Sequence, residues 1–415
     1  MKKAVPFDKS ILSDFDTKPT LLLHSCCAPC SSSVLEMLCE CFQVTVLYYN
    51  PNIFPKEEFD KRCDEQRKFC ESFSNDERKI DFICTSYRSE DFEKIAKGRE
   101  HIKEGGERCT LCYALRLEEA AKYASEKGFD FFTTTLSVSP LKDAKRLNAI
   151  GESMAKKYNV KYLTSDFKKQ NGYKRSCEIS KEYNMYRQDF CGCEYSLKER
   201  LMSAKGFVFD ADGTLFDTME FYDRFVLEIM RLQGIDAPYQ LREETRGHTV
   251  RGACEYMKEK YLLQKSVDEL MDECNEILVD FYKTKAPLKK GVKEFLDYSK
   301  ENGKKLCIAT ATDSFLIHLA LDSHNIEDYF EFVLCCTDVG ASKRESKVYD
   351  DSVAKLGLEK KDVVVFEDAE YAIATAKNAG YRVVAIEDDS QSQFVESIKS
   401  LGDVYIESME ELIIR

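Results

Sequence analysis

Short apolar runs alternate with amphipathic helical stretches twice along this chain, and that alternation restricts it to parallel α/β architecture. Residues 20–24, 44–49, 80–84 and 131–135 read as strands, and residues 31–41, 57–73, 111–127 and 142–158 read as helices. Strands joined through helices lie parallel and are covered on both faces. The pattern restarts at residues 206–209, with 304–310 and 363–366 as further strands. Between 217 and about 287 the strand signal vanishes, and 221–232 and 267–282 read as helices inserted into the second unit. The expectation is an α/β protein of two domains, 1–200 and 201–415, consistent with a length of 415 residues.

Such sheets carry their sites beyond the carboxyl ends of strands. After the first strand stands Cys26-Cys27-Ala28-Pro29-Cys30, and further cysteines are grouped at Cys109/Cys112 and Cys191/Cys193. The chain has 18 cysteines, 13 of them before residue 195, in a domain too large to need disulfide staples. Grouped thiolates are ligands of iron–sulfur clusters and of structural zinc. Zinc closes with four ligands, whereas seven cysteines would serve one [4Fe–4S] cluster and leave three for an additional iron or a redox pair. Spacing favours iron–sulfur and leaves zinc and thiol redox chemistry open. Cys39, Cys41, Cys63, Cys70, Cys84 and Cys177 lack such company and read as ordinary small residues.

LHSCCAPC (23–30), YYNPNIFPKEEFDKR (48–62), RCTLCYALRLEEAA (108–121), FTTTLSVSPLKD (132–143) and YRQDFCGCEYS (186–196) occur in that order. Over residues 20–197 the chain resembles the cobalamin-independent epoxyqueuosine reductases, the QueH family. The resemblance implies a Rossmann-like sheet of nucleotide-α-hydrolase (HUP-like) type. It also implies an iron–sulfur enzyme that removes the epoxide oxygen of epoxyqueuosine at the tRNA wobble position, with an electron donor the sequence does not name. The seven grouped cysteines are the expected ligands. Asp143, Asp189, Tyr113 and Tyr186 lie near the motifs, and the proton donor stays unassigned among them.

A tRNA would be met by basic and aromatic groups. Residues 141–190 hold 12 basic against 6 acidic side chains, with Arg146, Lys168, Lys169, Tyr173, Lys174, Arg175 and Arg187 as candidates. Residues 201–415 carry a net charge of −15 and are a poor surface for a polyanion. No Gly-rich turn follows the first or fourth strand, which counts against an ATP-dependent tRNA-modifying enzyme. The competing reading is a zinc-binding tRNA adaptor in which only the second domain is catalytic.

The second domain opens with Phe207-Val-Phe-Asp210-Ala-Asp212-Gly213-Thr214. Two carboxylates beyond a buried strand repel unless a cation lies between them, and Mg²⁺ prefers such hard oxygens. Asp210 can attack phosphorus, and Asp212 can protonate the leaving oxygen and later activate water. Thr310 and Lys343 suit a phosphoryl group, and Glu367-Asp368 adds carboxylate for the metal. This series resembles the haloacid dehalogenase-like (HAD) phosphatases over residues 205–415. The resemblance implies Asp210 as nucleophile, Asp212 as acid–base, and a Mg²⁺ site drawn from Asp210, Asp212, Glu367 and Asp368. It makes 217–287 a small helical cap of the phosphoglucomutase-like branch. Tyr222 stands where a mutase carries His, and Arg344 where Pro usually follows the lysine, so a phosphatase of a small phosphorylated metabolite is expected. Arg246, His248, Thr249 and Arg251 are candidates for contact with its distal part. No signal peptide or membrane-spanning run is read, and a cytoplasmic location is expected.

Overall fold

The computed structural model describes residues 6–245 and 250–413 and divides into two compact units, the first ending at Arg200 and the second running from Leu201 to Ile413. In the first unit, β1 (Thr20–His24), β2 (Gln43–Tyr48), β3 (Ile80–Cys84), β4 (Phe131–Thr134) and β5 (Lys161–Tyr162) form one sheet in the order β3-β2-β1-β4-β5. Every pairing is parallel. Leu21 and Leu23 pack on one face with Val34, Leu35 and Phe69, whereas Leu22 packs on the other with Leu117, Ala120 and Leu147. Both faces of β1 are therefore core, as an all-parallel sheet requires. The chain reverses direction across the sheet between β1 and β4, which places a crevice at their carboxyl ends.

The second unit repeats this plan with β6 (Gly206–Phe209), β7 (Lys305–Thr310), β8 (Val333–Cys335), β9 (Val363–Glu367), β10 (Arg382–Ile386) and β11 (Val404–Ile406). Their order is β11-β10-β9-β6-β7-β8, all parallel. Phe207, Phe209, Phe295 and Phe366 fill one face with rings, and Val208, Val363, Val365, Val383 and Ala385 fill the other. Here the switch point lies between β6 and β9.

The insertion between β6 and β7 is helical, as read from the sequence. Its helices include Met219–Leu232, Leu241–Thr245, Val250–Tyr261 and Val267–Thr284. Ser266 caps the last of these, accepting from the Glu269 N–H while the Glu269 carboxylate accepts from the Ser266 N–H. Phe221 and Phe281 stack across two cap helices with ring centroids 3.6 Å apart. Arg246, His248 and Thr249 lie outside the described residues; Arg251 is exposed and pairs with Asp268 at 2.7 Å. Among the described residues, no helix is long and apolar enough to cross a membrane.

Candidate active sites

The cysteine site grows out of the turn after β1. Cys27 caps the helix Ala28–Leu38, and Pro29 sits in its first turn, where a missing N–H costs nothing. That turn brings the sulfurs of Cys26, Cys27 and Cys30 within 4.8 Å of one another, close enough to share a metal. Cys27 Sγ accepts from Gln188 Nε2 at 2.9 Å. Contact with the Cys27 thiol holds Cys26 well below the usual thiol range, and the same contact pushes Cys27 up to about 12.

Cys109 and Cys112 lie on the helix Glu107–Lys127, three residues apart and hence on one face. Cys191 and Cys193 flank Gly192, whose φ of +124° suits glycine and whose missing Cβ would lie 3.0 Å from Arg62 Nη1. Buried Arg62 donates to the Cys191 carbonyl at 3.1 Å and pairs with Glu58 at 2.6 Å, which fixes this loop. Cys191 acts electrostatically on Cys109, Cys112 and Cys193, so these four are neighbours. Among the described residues, they do not close into a group as tight as the first. Burial pushes Cys112 up to about 11 and Cys193 to about 12.

Two cations that the sequence does not single out sit among these thiols. Arg116, one turn after Cys112, is 1% exposed and in electrostatic range of Cys26, Cys112 and Cys191. Its Nε donates to the Cys112 carbonyl at 3.3 Å, and its Nη2 has no hydrogen-bond partner. Lys142, also buried, donates to Cys191 Sγ at 3.1 Å and lies 3.8 Å from Glu104. Burying a guanidinium without a carboxylate is costly, and an anion within reach of Nη2 offsets that cost. Thiolates carrying iron or zinc supply such an anion, so the residues fit a metal-thiolate group. Below Cys26, buried His24 donates from Nε2 to the Tyr49 carbonyl at 3.0 Å and accepts at Nδ1 from Thr134, 2.9 Å away.

Three of the four candidate proton donors are engaged elsewhere. Asp143 caps the helix Ala144–Tyr158, Asp189 pairs with Arg200 at 3.0 Å, and the Tyr186 hydroxyl bonds the Glu58 carboxylate at 3.2 Å. Tyr113, by contrast, packs in the same core cluster as Cys26, Cys27 and Cys109, and burial pushes its hydroxyl up to about 12. The basic stretch is also partly occupied. Arg146 donates to the Gly105 carbonyl and Thr110, and Arg175 pairs with Glu36, Glu178 and Glu182. Arg187 donates to the Ser176 carbonyl and Ser180, while Tyr173 and Lys174 are exposed.

The second site spans the switch point of the second sheet. Asp210 follows β6, Glu367 ends β9 and Asp368 follows it, and oxygens of these three carboxylates lie within 4.8 Å of one another. Gly213, at φ +85°, lets the loop pass so close that a Cβ there would lie 2.5 Å from Asp368 Oδ2. Lys343, 3% exposed, donates to both Asp210 and Glu367, and Glu367 also accepts from Tyr349 at 2.8 Å. Burial and the Glu367 charge push Asp210 up to about 7, against the pull of Lys343. Thr310, at the end of β7, accepts from the Thr312 N–H at 3.0 Å.

Asp212 departs from its expected place among the metal carboxylates. Its side chain is not in that group; it accepts hydroxyls from Thr218, Tyr282 and Thr312, each at 2.6 Å. The physical reason is local: Thr218, Tyr282 and Thr312 already satisfy both carboxylate oxygens.

Residues 21–199 match the family model described as epoxyqueuosine reductase QueH, and residues 207–386 match that of haloacid dehalogenase-like hydrolases. The epoxyqueuosine reductase QueH of Staphylococcus epidermidis is 41% identical over 201 residues, covering 48% of this chain and 84% of that protein. The chain belongs to the QueH family. That of Thermotoga maritima is 35% identical over 184 residues, covering 44% of this chain and 92% of that protein. The chain is thus a QueH domain fused to a HAD-like domain. Solved structures similar to its second half include CbbY of Rhodobacter sphaeroides in complex with phosphate, at 19% identity and TM-score 0.41, covering 50% of this chain and 96% of that one. β-Phosphoglucomutase of Clostridium difficile is 18% identical with TM-score 0.41, covering 51% and 93%. In the QueH domain, sequence reading missed Arg116 and Lys142. Arg116 was traceable as the position one helical turn after Cys112, and Lys142 as part of the FTTTLSVSPLKD motif. Tyr282 left no such trace.

Proposed function

We propose that this QueH–HAD chain is a bifunctional enzyme that reduces epoxyqueuosine to queuosine in tRNA and hydrolyses a small phosphomonoester. The reductase reading is carried by one observation: a three-cysteine group at the switch point, with buried, incompletely partnered Arg116 in its field. Cys26, Cys27, Cys30, Cys109, Cys112, Cys191 and Cys193 would hold a [4Fe–4S] cluster and an additional iron. When bound, such a group supplies electrons and a Lewis-acidic iron for the epoxide oxygen. Arg116 and Lys142 balance the thiolate charge, Gln188 orients Cys27, and Arg62 fixes the Cys191–Cys193 loop. Exposed Tyr173 and Lys174 suit an unstacked base and a phosphate. Electrons come from an external donor.

In the HAD domain, Asp210 would attack phosphorus and carry the phosphoryl group, with Thr310 and Lys343 holding it. Asp210 and Asp368 would bind Mg²⁺, while Glu367 anchors Lys343. Asp212 would give a proton to the leaving oxygen.

Anaerobically purified protein tests the reductase reading. Brown protein with iron, sulfide and broad absorption near about 400 nm, converting epoxyqueuosine tRNA under a chemical reductant, supports it. Colourless protein with stoichiometric zinc and no conversion supports the adaptor reading instead. Asp210→Asn should abolish phosphate release from generic phosphomonoesters; retained release removes the phosphatase assignment.

A further inference from the structure

We infer that Tyr282, reaching from the cap helix Val267–Thr284, is a positioning residue for Asp212, and that Tyr222 steadies it. This deepens the phosphatase reading above and rests on it.

The carboxylate of Asp212 is gripped at both oxygens. Thr218 Oγ1 and the Tyr282 hydroxyl each donate to Oδ1 at 2.6 Å, and Thr312 Oγ1 donates to Oδ2 at 2.6 Å. The Tyr222 hydroxyl lies 2.7 Å from that of Tyr282 and 3.5 Å from Thr312 Oγ1. Tyr282 is fully buried, and both tyrosines belong to cap helices, whereas Thr312 lies in the loop after β7. The acid–base is therefore oriented from cap and core together.

None of the three donors is a cation. The three hydroxyls, coming from separate segments, fix the direction in which Asp212 faces the site. When Asp210 attacks phosphorus, the P–O ester bond breaks and its electron pair leaves with the ester oxygen. The proton from the Asp212 carboxyl goes to that oxygen, giving the free alcohol and an Asp212 carboxylate. Tyr282, Thr218 and Thr312 then stabilise the charge that has appeared. Water next attacks the aspartyl-phosphate, returns a proton to Asp212 and releases inorganic phosphate, restoring both carboxyl groups.

Oriented proton delivery matters in proportion to the basicity of the leaving oxygen. The experiment compares 4-nitrophenyl phosphate, whose phenolate leaves unaided near neutral pH, with phenyl phosphate, whose phenol is about as weakly acidic as tyrosine, with a pKa of about 10. The full chain with Mg²⁺ is assayed as wild type, Tyr282→Phe, Tyr222→Phe and Thr312→Val. Loss of a hydrogen bond to a developing charge predicts that kcat/KM for phenyl phosphate falls about tenfold or more in Tyr282→Phe. The same measure for 4-nitrophenyl phosphate should change less than about twofold. Thr312→Val should show the same split, and Tyr222→Phe a smaller one. Equal falls on both substrates, or no fall on either, overturn the inference while leaving the phosphatase reading standing. A wild-type chain inactive on both overturns the reading and the inference together.

Discussion

Lys142 Nζ lies 3.1 Å from Cys191 Sγ, and the lysine side chain is only 8% exposed. With Arg116 it gives the thiol site two buried positive charges, so removing either should weaken metal retention. Arg116→Met is expected to lower iron and sulfide content to less than about half of wild type, following the cost of a buried unpaired charge. Arg116→Lys should retain more than Arg116→Met. Metal and sulfide analysis of the anaerobic variants checks this, and full loading of Arg116→Met would refute it.

The two kinds of cysteine should separate cleanly. Cys109→Ser should bleach the chromophore and abolish epoxyqueuosine reduction. Cys39→Ser and Cys70→Ser, buried in the apolar core and outside the three groups, should keep colour and activity at some cost in stability. Absorption spectra alongside tRNA nucleoside analysis read both outcomes.

In the HAD domain, Lys343 is the single cation donating to Asp210 and Glu367 among the described contacts. Lys343→Met leaves two buried carboxylates facing each other, which costs about 3–5 kcal/mol when a buried pair is broken. A lowered denaturant midpoint and loss of phosphatase activity are expected, with part of the midpoint regained in millimolar Mg²⁺.

His24 gives the protein an acid-sensitive point. Burial first, and then the Arg116 charge, lower it from 6.5 to about 4, so the folded state keeps it neutral while the unfolded chain protonates it. Between those values the unfolded state binds the extra proton, and stability falls as pH drops from 6.5 towards 4. The loss is on the order of 3 kcal/mol. Urea melts of metal-free protein at stepped pH, compared with His24→Gln, should show a steeper decline for wild type over that window. Parallel declines would remove His24 as the cause.

Much of this fold was legible from apolar periodicity. β1, β3 and β6 fall where the residue pattern puts them, because each is a compact apolar run bounded by polar turns. β5, β8 and β11 escaped, being two or three residues long and too short for any period, and so did β10, whose five residues after a helix were not read as a strand. The helix after β1 begins at Ala28 rather than residue 31, because Pro29 fits a first helical turn. In the sites, the motif residues stood out by type and spacing. Arg116, Lys142 and Tyr282 did not, since an arginine, lysine or tyrosine on an amphipathic helix or loop reads as surface. Only tertiary packing turns them inward. Asp212 was legible as a functional carboxylate but not in its orientation, which hydroxyls from three separate segments decide.

The orphan nitrogen of Arg116 has a consequence for the life of the protein. A buried guanidinium with one nitrogen unpartnered penalises the empty chain, and whatever satisfies it adds to folding free energy. The empty chain should therefore open more often, present itself to proteases more readily and turn over faster than the filled one. On the iron–sulfur reading proposed above, abundance would then follow iron supply.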